Sequence, residues 1–525
     1  MKFYPLITLV LLFIFSFGMI KNLGNTAFWE DEGETVQLGK SILKFGYPKI
    51  FDGRSFILLD TNYHPQNYLR YTSPFLQFYV SAAAIVLFKN PANTFLMRLP
   101  FALSAVAGVW FSWLIFKKLG YSRFVIFLYS LFLFTSVQLY LYWRQARHYA
   151  LQFPLSLGLL YSYLNLGKRK WNILFLLFGF LFYHAYYPGF VGFYLGITIH
   201  ALIRKYFDKS YRLKPLIINT LILIAINLPA ALYLKHSGQL PNNGYLNTLA
   251  AYLMDINYFG YFKIAILSFT IIVIMKRPGL AAARPGLIKF LRYHCYSLSL
   301  FSIVVTSHLL LASFGAHNQR YISVLIPYLF LIAAVLWSLL TKTVSTRFRV
   351  NLNICRIASL PLLVWLMTYS HPRFFSEIQA FTKELRSEYY GPVEGIVNTI
   401  SGVKGLKRIN PDTPKQPNTL IVTNFEDGAI YAYLDNQFLN SLAPEGKYHS
   451  GDRLPDWVII RKHWGQEEYL NSFLQMGNYE KIITDYCDLP YENVYLVRTH
   501  RFQTAADCPE GKLTLYRLIP TAPLP

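Results

Sequence analysis

Long apolar runs, rich in Phe, Leu, Ile and Tyr, recur from the N-terminus to about Tyr369 and then stop. No other feature limits the fold so strongly, because about 20 apolar residues make a helix that crosses a bilayer. Short basic groups separate the runs: Lys117, Lys118 and Arg123; Lys168, Arg169 and Lys170; Arg204, Lys205, Lys209, Arg212 and Lys214; Lys276, Arg277, Arg284, Lys289 and Arg292; Lys342, Arg347, Arg349 and Arg356. They alternate with connections poor in Lys and Arg, the pattern that follows when basic loops stay in the cytoplasm. Placing all five groups there predicts eleven spans, over 4–20, 99–116, 124–142, 149–166, 171–183, 188–203, 216–234, 261–275, 295–314, 321–340 and 357–369. The N-terminus is then inside and the tail outside. One further run, 74–88, would export every later basic group if it crossed, so it is read as an interfacial helix at the outer surface, with Arg70 and Lys89 at its ends. The first run is read as a retained span, since no small-residue cleavage site follows it and Lys21-Asn22 is unusual at such a site.

Charge divides at the same place. Residues 1–370 carry 34 Lys and Arg against 8 Asp and Glu, whereas residues 371–525 carry 16 against 19. The basic total does not mark a nucleic-acid binder, because its residues sit in the loops between apolar runs and form no basic domain. The tail reads as a small soluble α/β domain, with strands over 419–422, 457–460, 481–484 and 513–518 and helices over 426–434 and 467–476. Asn424 to Gly428 offers helix-capping side chains after the first strand. No glycine-rich nucleotide fingerprint occurs, so no cofactor is assigned to the tail. Cys487 and Cys508 would lie in an oxidising compartment and can form a disulfide there. The expectation is a polytopic α-helical membrane protein over 1–370 followed by a soluble domain over 371–525.

The acids locate the chemistry. Of the eight before position 371, four fall within five positions: Glu30, Asp31, Glu32 and Glu34, directly after the first span. Like charges this close repel, and nearby low dielectric amplifies the cost. A cation, a proton or a basic ligand must offset it, which makes these four carboxylates the candidate ligands of a divalent cation. One of them can also serve as general base for a hydroxyl. Other outer loops supply the opposite charge, with Arg144 and Arg147 after the third span, His184 after the fifth, and His317 and Arg320 after the ninth. Arginine suits phosphate through its planar, bidentate fork. Tyr149, His184, Tyr187 and Tyr321 share this depth and are candidate substrate contacts. A lipid-linked phosphate, with its headgroup at the interface and its hydrocarbon in the bilayer, matches such a site.

Several stretches carry a resemblance: Trp29-Glu30-Asp31-Glu32 with the helix that follows it and Gly46-Tyr47-Pro48; residues 71–79; Met97-Arg98-Leu99-Pro100; Ala146-Arg147-His148-Tyr149 and Gln319-Arg320-Tyr321. In these the chain resembles the GT-C superfamily of membrane glycosyltransferases. It is most similar to the bacterial branch related to protein O-mannosyltransferases and to the aminoarabinose transferase of lipid A. The resemblance implies a polyprenyl-phosphate sugar donor (undecaprenyl phosphate in bacteria), Asp31 as catalytic base with Glu32 as its partner, and Arg147 and Arg320 on the donor phosphate; Arg144, from its place in the same outer loop, is a third phosphate candidate. The resemblance also implies surface helices in the first outer loop. Two positions depart from the lipid A branch, which has a basic residue in place of Glu34 and a lysine in place of Thr72. Both departures set the aminoarabinose reaction apart and shift phosphate recognition onto Arg147 and Arg320.

The function expected is inverting transfer of a sugar to an acceptor hydroxyl at the extracytoplasmic face, with a bacterial inner membrane and a periplasmic site as the default. The acceptor, whether lipid, glycan or protein, is not specified by the sequence. A ligase or oligosaccharyltransferase using a lipid diphosphate is the nearest alternative. A transporter or flippase is the alternative of another class. Transport calls for ionisable groups near the bilayer midplane, but here the acids avoid the predicted spans.

Overall fold

The structure is a computed structural model. It describes residues 3–51, 64, 66–70, 75–233, 244–258, 261–275, 285–313, 319–370, 374–386, 391–402, 419–424, 427–434, 437–439, 453–461, 467–488 and 511–520. Every predicted span coincides with helix. In chain order these are α1 (Phe3–Ile20), α2 (Glu30–Phe45), α3 (Leu76–Phe88), α4 (Thr94–Lys118), α5 (Arg123–Thr135), α6 (Val137–Trp143), α7 (His148–Tyr163) and α8 (Arg169–Ala185). There follow α9 (Tyr187–Phe207), α10 (Lys214–Tyr233), α11 (Tyr245–Tyr258), α12 (Tyr261–Met275) and α13 (Pro285–Ala312). A 3-10 turn, Gln319–Leu325, leads into α14 (Ile326–Phe348) and α15 (Leu352–Ser370).

Among the described residues, four helices are by themselves long and apolar enough to cross a membrane: α4, α10, α14 with its preceding turn, and α15. The bent pair α5 and α6 makes a fifth. That pair is the predicted span 124–142, and it is broken at Ser136 by a 68° bend. The cause is local: the Thr135 hydroxyl donates back to the Leu131 carbonyl at 2.8 Å, and the Ser136 amide takes the Leu133 carbonyl instead of continuing the ladder.

Apolar side chains are sorted as a bilayer requires. α14 and α7 lie almost wholly inside, and α14 carries buried Phe330, Val335 and Trp337. The outer faces of α1, α10 and α15 expose Leu6, Leu9, Phe13, Leu221, Ile224, Ile357 and Trp365. Such a collar of large apolar side chains is not left in water by a stable protein. The two ends of the bundle differ. Tyr4, at the start of α1, packs on Phe124 and Phe127 at the start of α5, and the Arg356 guanidinium lies 5.0 Å over the Phe124 ring. The acidic segment follows the other end of α1. The basic residues around 117–124 and 356 therefore lie at one end, and the acids at the opposite one.

Beyond α15, α16 (Phe374–Glu384) packs back on the bundle, with Phe381 stacked on Tyr140 at 4.4 Å. α17 (Pro392–Ser401) then precedes a five-stranded sheet of β1 (Leu420–Thr423), β2 (Gln437–Leu439), β3 (Trp457–Ile459), β4 (Tyr479–Cys487) and β5 (Lys512–Leu518), in the order β2-β1-β3-β5-β4. β1 pairs parallel with β2 and β3, whereas β5 pairs antiparallel with β3 and β4. Helix α18 (Asp427–Leu434) links β1 to β2, and α19 (Glu467–Met476) precedes β4. Inside the sheet region Arg461 is fully buried, its Nε donating to Asp488 at 2.6 Å. Asn424, within the stretch that offers caps for α18, exchanges two 2.8 Å hydrogen bonds with the Arg461 backbone. Cys487 is disulfide-bonded, and Cys508 lies outside the described residues.

Candidate active site

Helix α2 is polar for a buried element, and its geometry explains why. Its first turn holds Glu30, Asp31 and Glu32, where the positive end of the helix dipole favours anions. It ends at Gly46, whose left-handed backbone (φ 85°) lets its amide reach the Ile42 carbonyl. With 100° between successive residues, Glu30, Asp31 and Glu32 leave the helix in different directions, and Glu34 returns to the side of Asp31.

Glu32 is fully buried and held on all sides. Oε1 accepts from Arg98 Nε at 2.8 Å and from the Ala146 amide at 2.7 Å. Oε2 accepts from Arg98 NH2 at 2.5 Å and from the Trp29 amide at 3.2 Å. Arg98 also donates to the carbonyls of Leu23, Thr26 and Ala27 and to the Thr26 hydroxyl. The pair ties the loop after α1 to α2, α4 and the start of α7. The sequence made Glu32 a partner in catalysis; its saturated contacts make it a structural strut.

Asp31 faces the arginines. Its Oδ2 is in contact with Arg320 NH1, and Arg147 NH2 lies 3.6 Å away. Arg147 NH1 donates to the Asp31 carbonyl at 2.8 Å, to Glu34 Oε2 at 3.2 Å and to Thr35 Oγ1 at 3.3 Å. The other oxygen of Glu34 meets Arg70 NH2 at 3.3 Å. Burial opposes the charge on Arg147, but Asp31, Tyr149 and Glu34 more than offset it, so its pKa is raised and it stays protonated. Asp31, Glu34 and Thr35 are one stripe of α2 at the i, i+3, i+4 spacing.

Several buried polar atoms around these arginines have no hydrogen-bond partner among the described residues: Arg147 Nε, the Tyr149 hydroxyl and His148 Nε2. The Tyr149 ring lies beneath the Arg320 guanidinium at 5.8 Å, and the Tyr321 ring is 5.7 Å from it. His148 turns Nδ1 to Gln77 Oε1 at 3.3 Å, and the same oxygen accepts its amide at 3.0 Å. Its ring stacks on Tyr186, which stacks on Tyr321. A buried donor without a partner is costly, and one at a cluster of guanidiniums fits an anion.

The expected site residues divide accordingly. Asp31, Arg147, Arg320, Tyr149 and Tyr321 come together. Arg144 does not, because it caps the end of α1, donating to the carbonyls of Gly18 at 2.6 Å, Lys21 at 2.9 Å and Asn22 at 3.1 Å. Orphan carbonyls at a helix end, with the negative end of its dipole, attract a guanidinium that lies beside them. His184 packs between Phe180 and Tyr183 on α8, with ring centroids at 4.5 and 5.2 Å, and Tyr187 lies beside Tyr183 at 6.5 Å. His317 and Thr72 lie outside the described residues. The four carboxylates do not fit a metal ion, since Glu30 turns to backbone amides of α18, Glu32 to Arg98, and Asp31 and Glu34 to arginines. No group of three or more potential metal ligands converges among the described residues. Arg70 and Gln77 were missed as site residues. Arg70 had a signal, because outer-side arginines are as scarce there as at Arg147 and Arg320.

No family model matches the sequence, and no curated protein matches it. Among solved structures the chain is similar to ArnT from Cupriavidus metallidurans in the apo state, at 12% identity and a TM-score of 0.51, over 98% of this chain and 97% of that one. It is also similar to the same protein bound to undecaprenyl phosphate, at 12% identity and a TM-score of 0.47, over 90% and 87%. The apo likeness spans nearly the whole of both chains and shows a shared fold.

Proposed function

We propose that this chain, with the GT-C fold, is an inverting glycosyltransferase that moves a sugar from a polyprenyl-phosphate donor to an acceptor hydroxyl. In this reading the eleven expected spans cross the membrane, the basic end faces the cytosol, and Asp31 lies on the extracytoplasmic side. The observation that carries it is the pair of arginines on Asp31, with Arg147 Nε and the Tyr149 hydroxyl buried beside them without partners among the described residues. That arrangement offers a phosphate bidentate guanidinium contacts and a phenol donor at the end of an apolar bundle. Fold likeness to ArnT agrees with this chemistry.

Without donor, Asp31 occupies Arg320 and Arg147. A donor phosphate competes for the same guanidiniums, and when it takes them the carboxylate is released to accept a proton. The acceptor oxygen then attacks C1 of the sugar while Asp31 takes its hydrogen. The bond from C1 to the phosphate oxygen breaks, its electron pair stays on the phosphate, and the anomeric centre inverts. Arg147 and Arg320 stabilise the charge on the departing phosphate. Losing one such preorganised donor costs about 100- to 1000-fold in rate. No step is routed through a metal, because Glu30 and Glu32 turn away from Asp31 and Glu34, which are engaged by arginines.

The test is transfer in proteoliposomes supplied in turn with radiolabelled polyprenyl-monophosphate sugars and polyprenyl-diphosphate glycans. Label should leave the monophosphate carrier only, and Arg320→Ala should raise the donor KM more than the acceptor KM. Transfer from the diphosphate alone, or an unchanged donor KM in the variant, would replace this reading with the ligase.

A further inference from the structure

The stripe of α2 that turns away from the arginines meets the C-terminal sheet, and it does so at the part of the sheet where a ligand would be expected. β1 has β2 on one side and β3 on the other, all parallel, with α18 carrying the chain from β1 to β2. In open α/β sheets ligands bind outside the carboxyl ends of the strands at such a reversal, and anions favour the helix N-terminus that opens there. Here that N-terminus holds a side chain of the membrane part. Glu30 Oε1 accepts from the Gly428 amide at 3.0 Å, and Oε2 from the Ala429 amide at 3.4 Å.

Three further contacts run along the same stripe. Gly33 lies so close to α18 that a Cβ there would collide with the backbone of Gly428 and Ala429. The Lys40 ammonium donates to the Ala432 carbonyl at 3.1 Å, near the negative end of α18. Just before α2, the Tyr433 hydroxyl accepts the Phe28 amide at 2.8 Å while its ring stacks on Phe28 at 5.2 Å. Glu30, Gly33 and Lys40 are spaced i, i+3 and i+10, one face of the helix. Asp31 is the residue next to Glu30 and points the other way.

We infer that α18 of the C-terminal sheet is a positioning element of the active site: it grips Glu30 and Gly33 and thereby fixes Asp31 against Arg147 and Arg320. The sheet contributes no group to the chemistry. It holds the first turn of α2 in register, and Glu30, Gly33 and Tyr433 are positioning residues. The consequence for turnover rests on the proposed function; the grip itself does not.

The experiment uses the full-length protein in nanodiscs, as wild type, Glu30→Gln, Tyr433→Phe and Gly33→Ala. Hydrogen–deuterium exchange reads the first two turns of α2, with α4 and α7 as internal references. Equilibrium binding of a polyprenyl phosphate counts intact phosphate sites, and turnover is expressed per bound polyprenyl phosphate. Exchange in α2 should rise in all three variants with α4 and α7 unchanged. Turnover per site should fall about 10-fold in Glu30→Gln and about 100-fold in Gly33→Ala, the scale of a displacement near 1 Å at a reacting group. Should Gly33→Ala fail to fold, Glu30→Gln and Tyr433→Phe decide alone. Unchanged exchange in α2 would overturn the grip, and faster exchange with wild-type turnover per site would overturn positioning. A wild type that transfers from no polyprenyl-phosphate sugar would refute the functional reading, while the exchange data still decide the grip.

Discussion

Asp31→Asn separates binding from chemistry. In the free protein the Asp31 carboxylate contacts Arg320 and lies 3.6 Å from Arg147, the two guanidiniums assigned to phosphate. A phosphate must therefore displace a carboxylate before it can bind. Two unit charges 4 Å apart interact by about 4 kcal/mol at an effective dielectric of 20. The displaced carboxylate regains water and nearby donors, which offsets much of this, leaving a net penalty of about 1.4–2.8 kcal/mol, or roughly 10- to 100-fold in Kd. The asparagine keeps the size of the side chain and removes the competition. Polyprenyl phosphate should consequently bind about 10- to 100-fold more tightly, while turnover disappears for want of a base. Equilibrium binding in nanodiscs and transfer in proteoliposomes, on one preparation with an unchanged thermal midpoint, make the comparison. Weaker binding in Asp31→Asn would mean that the carboxylate helps to hold the donor. Turnover near wild type would remove it as the base. The first result refutes the competition, the second the base assignment.

Arg98→Met should destabilise the protein by about 3–5 kcal/mol, because it leaves Glu32 buried and uncompensated, and adding Glu32→Gln should recover part of the loss; thermal unfolding of the single and double variants checks both. Tyr149→Phe should fold normally, its hydroxyl having no partner among the described residues, yet lower donor affinity by about 10- to 100-fold, the worth of a hydrogen bond to a charged group; binding of polyprenyl phosphate reads it directly. For sidedness, Arg453→Cys in the sheet region should react with a membrane-impermeant maleimide from the extracytoplasmic side, and Lys209→Cys only after permeabilisation. Both sites are exposed, and Cys295 and Cys355 are replaced by Ser as background.

The sequence by itself determined the apolar helices of the bundle, its two ends and the segment that carries the acids, but not α11, α16 or α17. Hydropathy is a local property of about 20 consecutive residues, so the eleven apolar runs and the surface run before α4 were all legible as helices, although the break at Ser136 was not. Four of the five sheet strands were legible from apolar runs of four to six residues, whereas the three-residue β2 was not. Tertiary structure alone decided which carboxylate does what. Residues 30, 31, 32 and 34 read as one acidic cluster, but a helical step of 100° sends them to three neighbourhoods drawn from distant parts of the chain, with Asp31 and Glu34 sharing Arg147. Arg98 is 66 positions from Glu32, Arg320 is 289 from Asp31, and Gly428 is 398 from Glu30. Composition could show that the repulsion must be relieved, but not by which groups. Arg144 and Arg147 illustrate the same limit: three residues apart in one loop, one meets the open carbonyls at the end of α1 and the other meets Asp31, because a charged side chain takes the partner that folding brings nearest.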